Sequence, residues 1–137
     1  MNISGSFTPN LSPLEPYSTG KHGMKLGRMS IDKTFEGDLN AVSKGEMLSA
    51  MTPEKGSAGY VAIEQVEGTL SGKKGSFVLQ HYGIMTNGDQ RLILEVVPGS
   101  GTGELEGLAG SMAIIIEDGK HTYEFEYKLP EQDGYSD

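Results

Sequence analysis

GYVAIEQVEGTLSGKKGSFVLQHYGIMTNGDQRLILEVV, residues 59–97, decides the fold. Apolar and polar side chains alternate along it, the period of a strand with one buried face. Two turn signals interrupt the run, Gly72-Lys73-Lys74-Gly75 and Asn87-Gly88. Asn-Gly is a strong hairpin signal because a type I′ turn needs positive φ at both central residues. With Asn87-Gly88 as that turn, His81 falls opposite Leu94 and Leu79 opposite Val96. With Lys73-Lys74 as a two-residue loop, Gly72 falls opposite Gly75 and Val66 opposite His81. Both registers gather the same side chains. Ala62, Val66, Phe77, Leu79, Leu92, Leu94 and Val96 share one face; Gln65, Glu67, Gln80, Arg91 and Glu95 share the other. A slip of one residue would invert every assignment, so the agreement of two neighbouring hairpins fixes inside and outside.

Toward the C-terminus, Asp118-Gly119 sets a third hairpin, with Ile116 facing His121, Ile114 facing Tyr123 and Met112 facing Phe125. Toward the N-terminus, Met29, Ile31, Lys33 and Phe35 alternate with Arg28, Ser30, Asp32, Thr34 and Glu36. Further strands are expected over Ile3 to Thr8 and about Leu39 to Met51, with a loop from Thr52 to Gly59. Pro9, Pro13 and Pro16 predict an irregular stretch through about His22. The total is about eight strands and no helix. Consecutive hairpins make a meander, and closing it removes the exposed edges. The expected fold is therefore all-β: a closed eight-stranded antiparallel meander barrel, forming one domain over 1–137. Eight strands leave room for side chains or one small ligand.

Composition supports this and narrows function. The 20 glycines are spread along the chain rather than gathered in a linker, as many short strands and turns require. With 11 Lys+Arg against 19 Asp+Glu, the formal charge is −8. A field of that sign disfavours nucleic acid and anionic membrane surfaces. There is no cysteine, so thiol nucleophiles and Cys-based zinc sites are excluded. The first residues, MNISGSFTPN, lack the basic and apolar regions of a secretory signal. A cytoplasmic protein is expected.

The same residues carry a resemblance. GSFT (5–8), KTFEGDL (33–39), GYVAIEQVEGTLSGKKGSFVLQHYG (59–83), VVPGSGTGELEGLAGS (96–111) and HTYEFEY (121–127) follow one another in this order. Together they resemble a family of small bacterial proteins of unknown function, over nearly the whole chain. The resemblance implies a barrel like that of allene oxide cyclase, an eight-stranded antiparallel meander. It implies no activity, because a shared fold does not transfer function. The family usually has a tryptophan near Leu11-Ser12, and this chain has none.

Glu64 is the first candidate for chemistry. It shares the inward face with Tyr60, Ala62 and Val66, opposite Gly83 and diagonal to His81. Diagonal neighbours are within reach of long side chains. A buried carboxylate is costly unless paired or protonated, and Lys33 is a second inward partner. The group reads as a satisfied internal ion pair, a ligand-orienting site or an acid/base pair. His81, His121 and Glu64 have no HxH or HExxH spacing, so no metal and no cofactor are expected. Pro98-Gly99-Ser100-Gly101-Thr102-Gly103-Glu104 lacks the strand–loop–helix context of a phosphate loop and reads as a turn. If that loop lies at the barrel mouth, Ser100, Thr102 and Glu104 would rim a cavity. Tyr60, Tyr123 and Tyr127 point inward, to fill the core or line a pocket. No Gly-x-Ser-x-Gly elbow is present.

Three functions remain open. The first is a barrel that binds a small apolar ligand, with Glu64 and His81 as its polar pair. The second is a filled structural module that self-associates. The third is an isomerase or cyclase that uses the pair for proton transfer. Outward Val61, Ile63, Val78, Tyr82 and Ile93 point to a homo-oligomer, since a solvated face should carry fewer apolar residues.

Overall fold

Asn87-Gly88 and Asp118-Gly119 turn the chain as their sequence demands, with φ of 50° and 87° in the first and 51° and 75° in the second. A third turn of the same kind is formed by Ser71-Gly72, at 49° and 83°, and not by Lys73-Lys74. The reason is conformational: the second position of a type I′ turn strongly favours glycine, and Gly72 supplies it. The Ser71 amide also donates to the Asp38 carbonyl at 2.7 Å, tying this turn to its neighbour. Val66 thus pairs with Phe77 rather than His81. The shift of four residues is even, so every side chain keeps its face.

The computed structural model describes residues 1–130. Its strands are β1 (Asn2–Leu14), β2 (Lys25–Gly37), β3 (Leu39–Met51), β4 (Ala58–Leu70), β5 (Lys73–Thr86), β6 (Asp89–Val96), β7 (Ala109–Glu117) and β8 (Lys120–Lys128). Each pairs antiparallel with the next and β8 returns to β1, closing an eight-stranded barrel. One short 3-10 turn, Gly103–Leu105, interrupts the β6–β7 connection. No described helix is long and apolar enough to cross a membrane, which says nothing of strands.

The first strand runs further than its prolines suggest. β1 continues through Pro9 and Pro13 to Leu14, pairing with β2 all the way to Leu14–Arg28. Its pairing with β8 ends at Ser6–Thr122. Beyond Ser6 one side of the strand has no ladder, and a missing N–H is tolerated on such an edge. The irregular stretch shrinks to the β1–β2 loop.

The connections define two ends. The β1–β2, β3–β4, β5–β6 and β7–β8 connections lie at the upper end, the others at the lower. The lower half is solid. Phe77 stacks on Phe125 at 5.8 Å and Phe125 on Tyr127 at 5.3 Å, while Phe35 meets Tyr123 edge-on at 5.8 Å. Leu105 and Leu108, from the β6–β7 connection, join this buried cluster. The upper half is held more loosely. β6 and β7 pair only at Leu94–Met112 and Glu95–Ser111. The β7–β8 hairpin therefore rises above its last partners on both sides. Among the described residues, its tip from Ala113 to His121 pairs only with itself.

Candidate functional site

Strand register places the candidate site near the middle of the barrel. Glu64 stands directly opposite Gly45 of β3 and Leu79 of β5, and diagonal to His81. Lys33 on β2 pairs with Ser43 on β3. Two glycines make the fit possible. A Cβ at Gly45 would overlap Glu64 and the Ile63 carbonyl, so glycine lets β3 approach β4 where the carboxylate sits. A Cβ at Gly83 would overlap the Tyr60 ring, so glycine leaves that ring its space across the pair.

Glu64 is fully buried, and each of its oxygens has a partner. Oε1 accepts from Lys33 Nζ at 3.0 Å and from His81 Nε2 at 2.7 Å. Oε2 accepts from Ser43 Oγ at 2.7 Å. Burial pushes the carboxyl upward, and it is the largest single influence. The His81 bond, the Lys33 charge, the His81 charge and the Ser43 bond together outweigh it, and hold Glu64 down to about 2. Glu64 is thus ionised at neutral pH and can only accept hydrogen bonds. That fixes His81: Nε2 must carry the proton toward Glu64, which leaves Nδ1 as the ring's other, available nitrogen. Lys33 Nζ also lies 5.2 Å from the Phe7 ring centre and 5.8 Å from that of Phe35, within cation–π range.

Above this cluster the barrel is hollow. A cavity of about 300 Å³ opens at the upper end. Its base is made by Lys33, His81 and Tyr60, and its walls by Phe7, Ile31, Met47, Leu92, Ile114 and Ile116, with His121 at the rim. The His81 and Tyr60 rings are 6.5 Å apart, and His121 meets Phe7 edge-on at 5.4 Å. Burial and the nearby Glu64 charge raise the Tyr60 hydroxyl above its usual range, so it stays protonated. A larger groove, about 610 Å³, crosses the outer wall over β1, β6, β7 and β8. It holds no buried ionisable group; the buried ionisable cluster lies inside the barrel.

The structure brings together four of the residues singled out from sequence: Glu64, His81, Lys33 and Tyr60. The others lie elsewhere. Tyr123 is buried in the lower half, where its hydroxyl accepts from the Leu39 amide at 3.2 Å and donates to the Glu36 carbonyl at 3.1 Å. Tyr127 Oη meets Ser71 Oγ at 2.9 Å, also at the lower end. Ser100, Thr102 and Glu104 are not at the mouth. Their side-chain oxygens accept from the amides of Val78 (3.0 Å), Ser76 (3.1 Å) and Lys74 (2.9 Å), along the part of β5 that β6 leaves uncovered. The Gly-rich loop is thus a stand-in for a strand, and it half-buries Val78, which was expected to be exposed. Among the described residues no three of His, Asp and Glu converge as metal ligands would.

Ser43 and His121 were not singled out from sequence as binding candidates. Both follow from alternation: Ser43 shares parity with buried Leu39 and Ala41, and His121 with Tyr123 and Phe125.

Residues 3–127 match the family described as "Protein of unknown function (DUF3224)". The chain belongs to the DUF3224 family. It is also similar to a crystal structure, at 1.84 Å resolution, of a DUF3224 protein of unknown function from Shewanella oneidensis MR-1. The two are 61% identical over 96% of this chain and 98% of the other, with a TM-score of 0.92. No curated protein matches. The function of the family and of this relative is unknown.

Proposed function

We propose that this DUF3224 barrel binds a small, mainly apolar molecule in its upper cavity, and that Glu64 holds His81 and Lys33 in position at the cavity base. One observation carries this reading: a cavity opens above the buried ionisable cluster, while below it the described residues form a packed aromatic and aliphatic core. A volume of about 300 Å³ equals roughly ten water molecules at about 30 Å³ each. It lies at the lower bound of known ligand pockets, which suits a ligand of roughly ten non-hydrogen atoms. The likeness to allene oxide cyclase belongs to this reading as architecture only, and so does a cytoplasmic setting. A proton-transfer enzyme on this site would have to use His81 Nδ1, because Glu64 is fully buried and does not line the cavity.

The test is native mass spectrometry of the protein purified from its own host. A retained small molecule is expected, and it should be lost when Ile114→Trp fills the cavity. A protein that carries no added mass, and takes up no apolar probe in titrations, would sink the reading.

A second reading, self-association, has its own support. Leu48, Val61, Tyr82 and Ile93 pair in succession across β3, β4, β5 and β6. All four are exposed, and Ile63 lies beside them. Such a continuous apolar row on an outer wall suits a second copy of the chain. Sedimentation should give a dimer or larger that Val61→Lys dissociates; a monomer at all concentrations would end this reading.

A further inference from the structure

The cavity departs in charge from the rest of the chain. The protein has 19 acidic against 11 basic residues, yet no aspartate or glutamate lines the hollow. The lining carries one ammonium, Lys33, and two imidazoles, His81 and His121. Glu64 lies beneath them, fully buried and not part of the lining. Two groups remain to meet a ligand. Lys33 Nζ has three N–H groups and one hydrogen-bond partner, Glu64. His81 is 3% exposed, and its Nδ1 makes no hydrogen bond among the described residues. Among the described residues no enclosed side-chain nitrogen or oxygen lacks a partner. Nδ1 is therefore not sealed in, and it opens on the cavity that His81 lines.

We propose that the ligand is a small carboxylate: an apolar body against Ile31, Met47, Leu92 and Ile114, with its anionic end on Lys33 Nζ and His81 Nδ1. The proposal rests on the small-molecule reading above and names the class of molecule.

Charge balance supports it. Glu64 is the buried anion of the cluster, and it faces two cations, Lys33 and the His81 ring whose charge helps to hold it ionised. A ligand carboxylate on Nδ1 would supply the second anion. His81 then bridges two carboxylates, donating from Nε2 to Glu64 and from Nδ1 to the ligand. The result is two cations and two anions, which suits a place where an unpaired charge is costly. The other titratable groups near the ring are Tyr60, protonated and able to donate, and His121 at the rim. A cationic ligand would meet Lys33 with no free carboxylate to receive it.

The test uses phenylacetate, phenylacetamide, which matches it in size, and toluene, which keeps only the apolar body, in titrations followed by NMR of the His81 ring and the Ile114 methyl groups. Phenylacetate is expected to bind at least about tenfold more tightly than the amide, a difference of about 1.4 kcal/mol. The gap should vanish in the double variant Lys33→Met with Glu64→Gln. Removing both partners leaves no unpaired charge, so this variant should keep its fold. The acid–amide comparison in the unaltered protein stands on its own if the variant does not fold. Amide or toluene binding as tight as the acid would overturn the carboxylate inference and leave the apolar cavity intact. If no probe moves the cavity signals, both readings fall.

Discussion

The two halves of the barrel are built from the same eight strands but closed in different ways. In the lower half, aromatic rings stack in the interior, β1 pairs with β8, and β6 pairs with β7 at Leu94–Met112 and Glu95–Ser111. Even the gap beside β5 is filled, by hydroxyl and carboxylate groups from residues 100–104 that take the place of a strand. In the upper half, two seams open, the interior is a cavity, and its floor is the buried Glu64 cluster. One half has the features that make a stable barrel. The other departs from them by keeping its interior unfilled, which the proposed binding of a small molecule requires. Glu64, Lys33, Ser43 and His81 mark the boundary between the two.

The largest effects should separate the halves directly. Phe125 is 1% exposed and stacked between two rings. Phe125→Ala should cost about 3–5 kcal/mol in urea unfolding. Ile114 borders empty space and is half-buried, so Ile114→Ala should cost under about 1 kcal/mol. Equal costs would mean that the upper half is packed after all. At the boundary, Lys33→Met alone leaves Glu64 short of its cation and should cost about 3–5 kcal/mol. Adding Glu64→Gln should recover part of that loss, since the unpaired charge is then gone. A double variant no more stable than the single one would show that packing, and not charge, is what Lys33 provides.

Acid should act on the boundary next. The folded carboxyl of Glu64 is held at about 2, below its usual 4.5. A depressed carboxylate stabilises the fold above its unfolded value, and the contribution disappears as pH falls through the folded one. Stability should thus decline between about pH 4.5 and 2, by on the order of 3 kcal/mol in all. Glu64→Gln should flatten this part of the profile while the remaining carboxylates keep theirs. An unchanged slope in the variant would assign the acid response to other groups.

The boundary was partly legible in the sequence, for a reason the register makes plain. A loop at Lys73-Lys74 lies two residues later than the turn at Ser71-Gly72, which displaces the β4–β5 register by four. Because side chains alternate with a period of two, an even error moves partners without turning any residue over. Glu64 is diagonal to His81 under either register, so the pair survived the mistake. The hollow could not be read this way. Phe35, Phe77, Phe125, Tyr123 and Tyr127 all read as inward, and all of them occupy the lower half. That distribution depends on how eight strands stagger around the barrel, which no single hairpin reveals. The rim loop misled for a related cause: Ser100, Thr102 and Glu104 look like ligand contacts but satisfy the backbone of β5.

The smallest expected effect concerns the tip of the β7–β8 hairpin. Ile116 is 63% exposed and borders the cavity, and an exposed position away from any core typically changes stability by under about 0.5 kcal/mol. Ile116→Ser should therefore leave urea unfolding almost unchanged. Motion is where the tip should differ from the lower half. Amides paired only within the hairpin can open without disturbing the rest of the barrel. Hydrogen exchange should be faster at Ala113–His121 than at the lower parts of the same strands, Ala109–Met112 and Tyr123–Tyr127. A ligand that lies against Ile114 and Ile116 should slow exchange at the tip and leave the lower segments as they were. Uniform protection along both strands, with or without ligand, would mean that the open seams do not loosen the hairpin, and entry to the cavity would then have to be through the β1–β2 end alone.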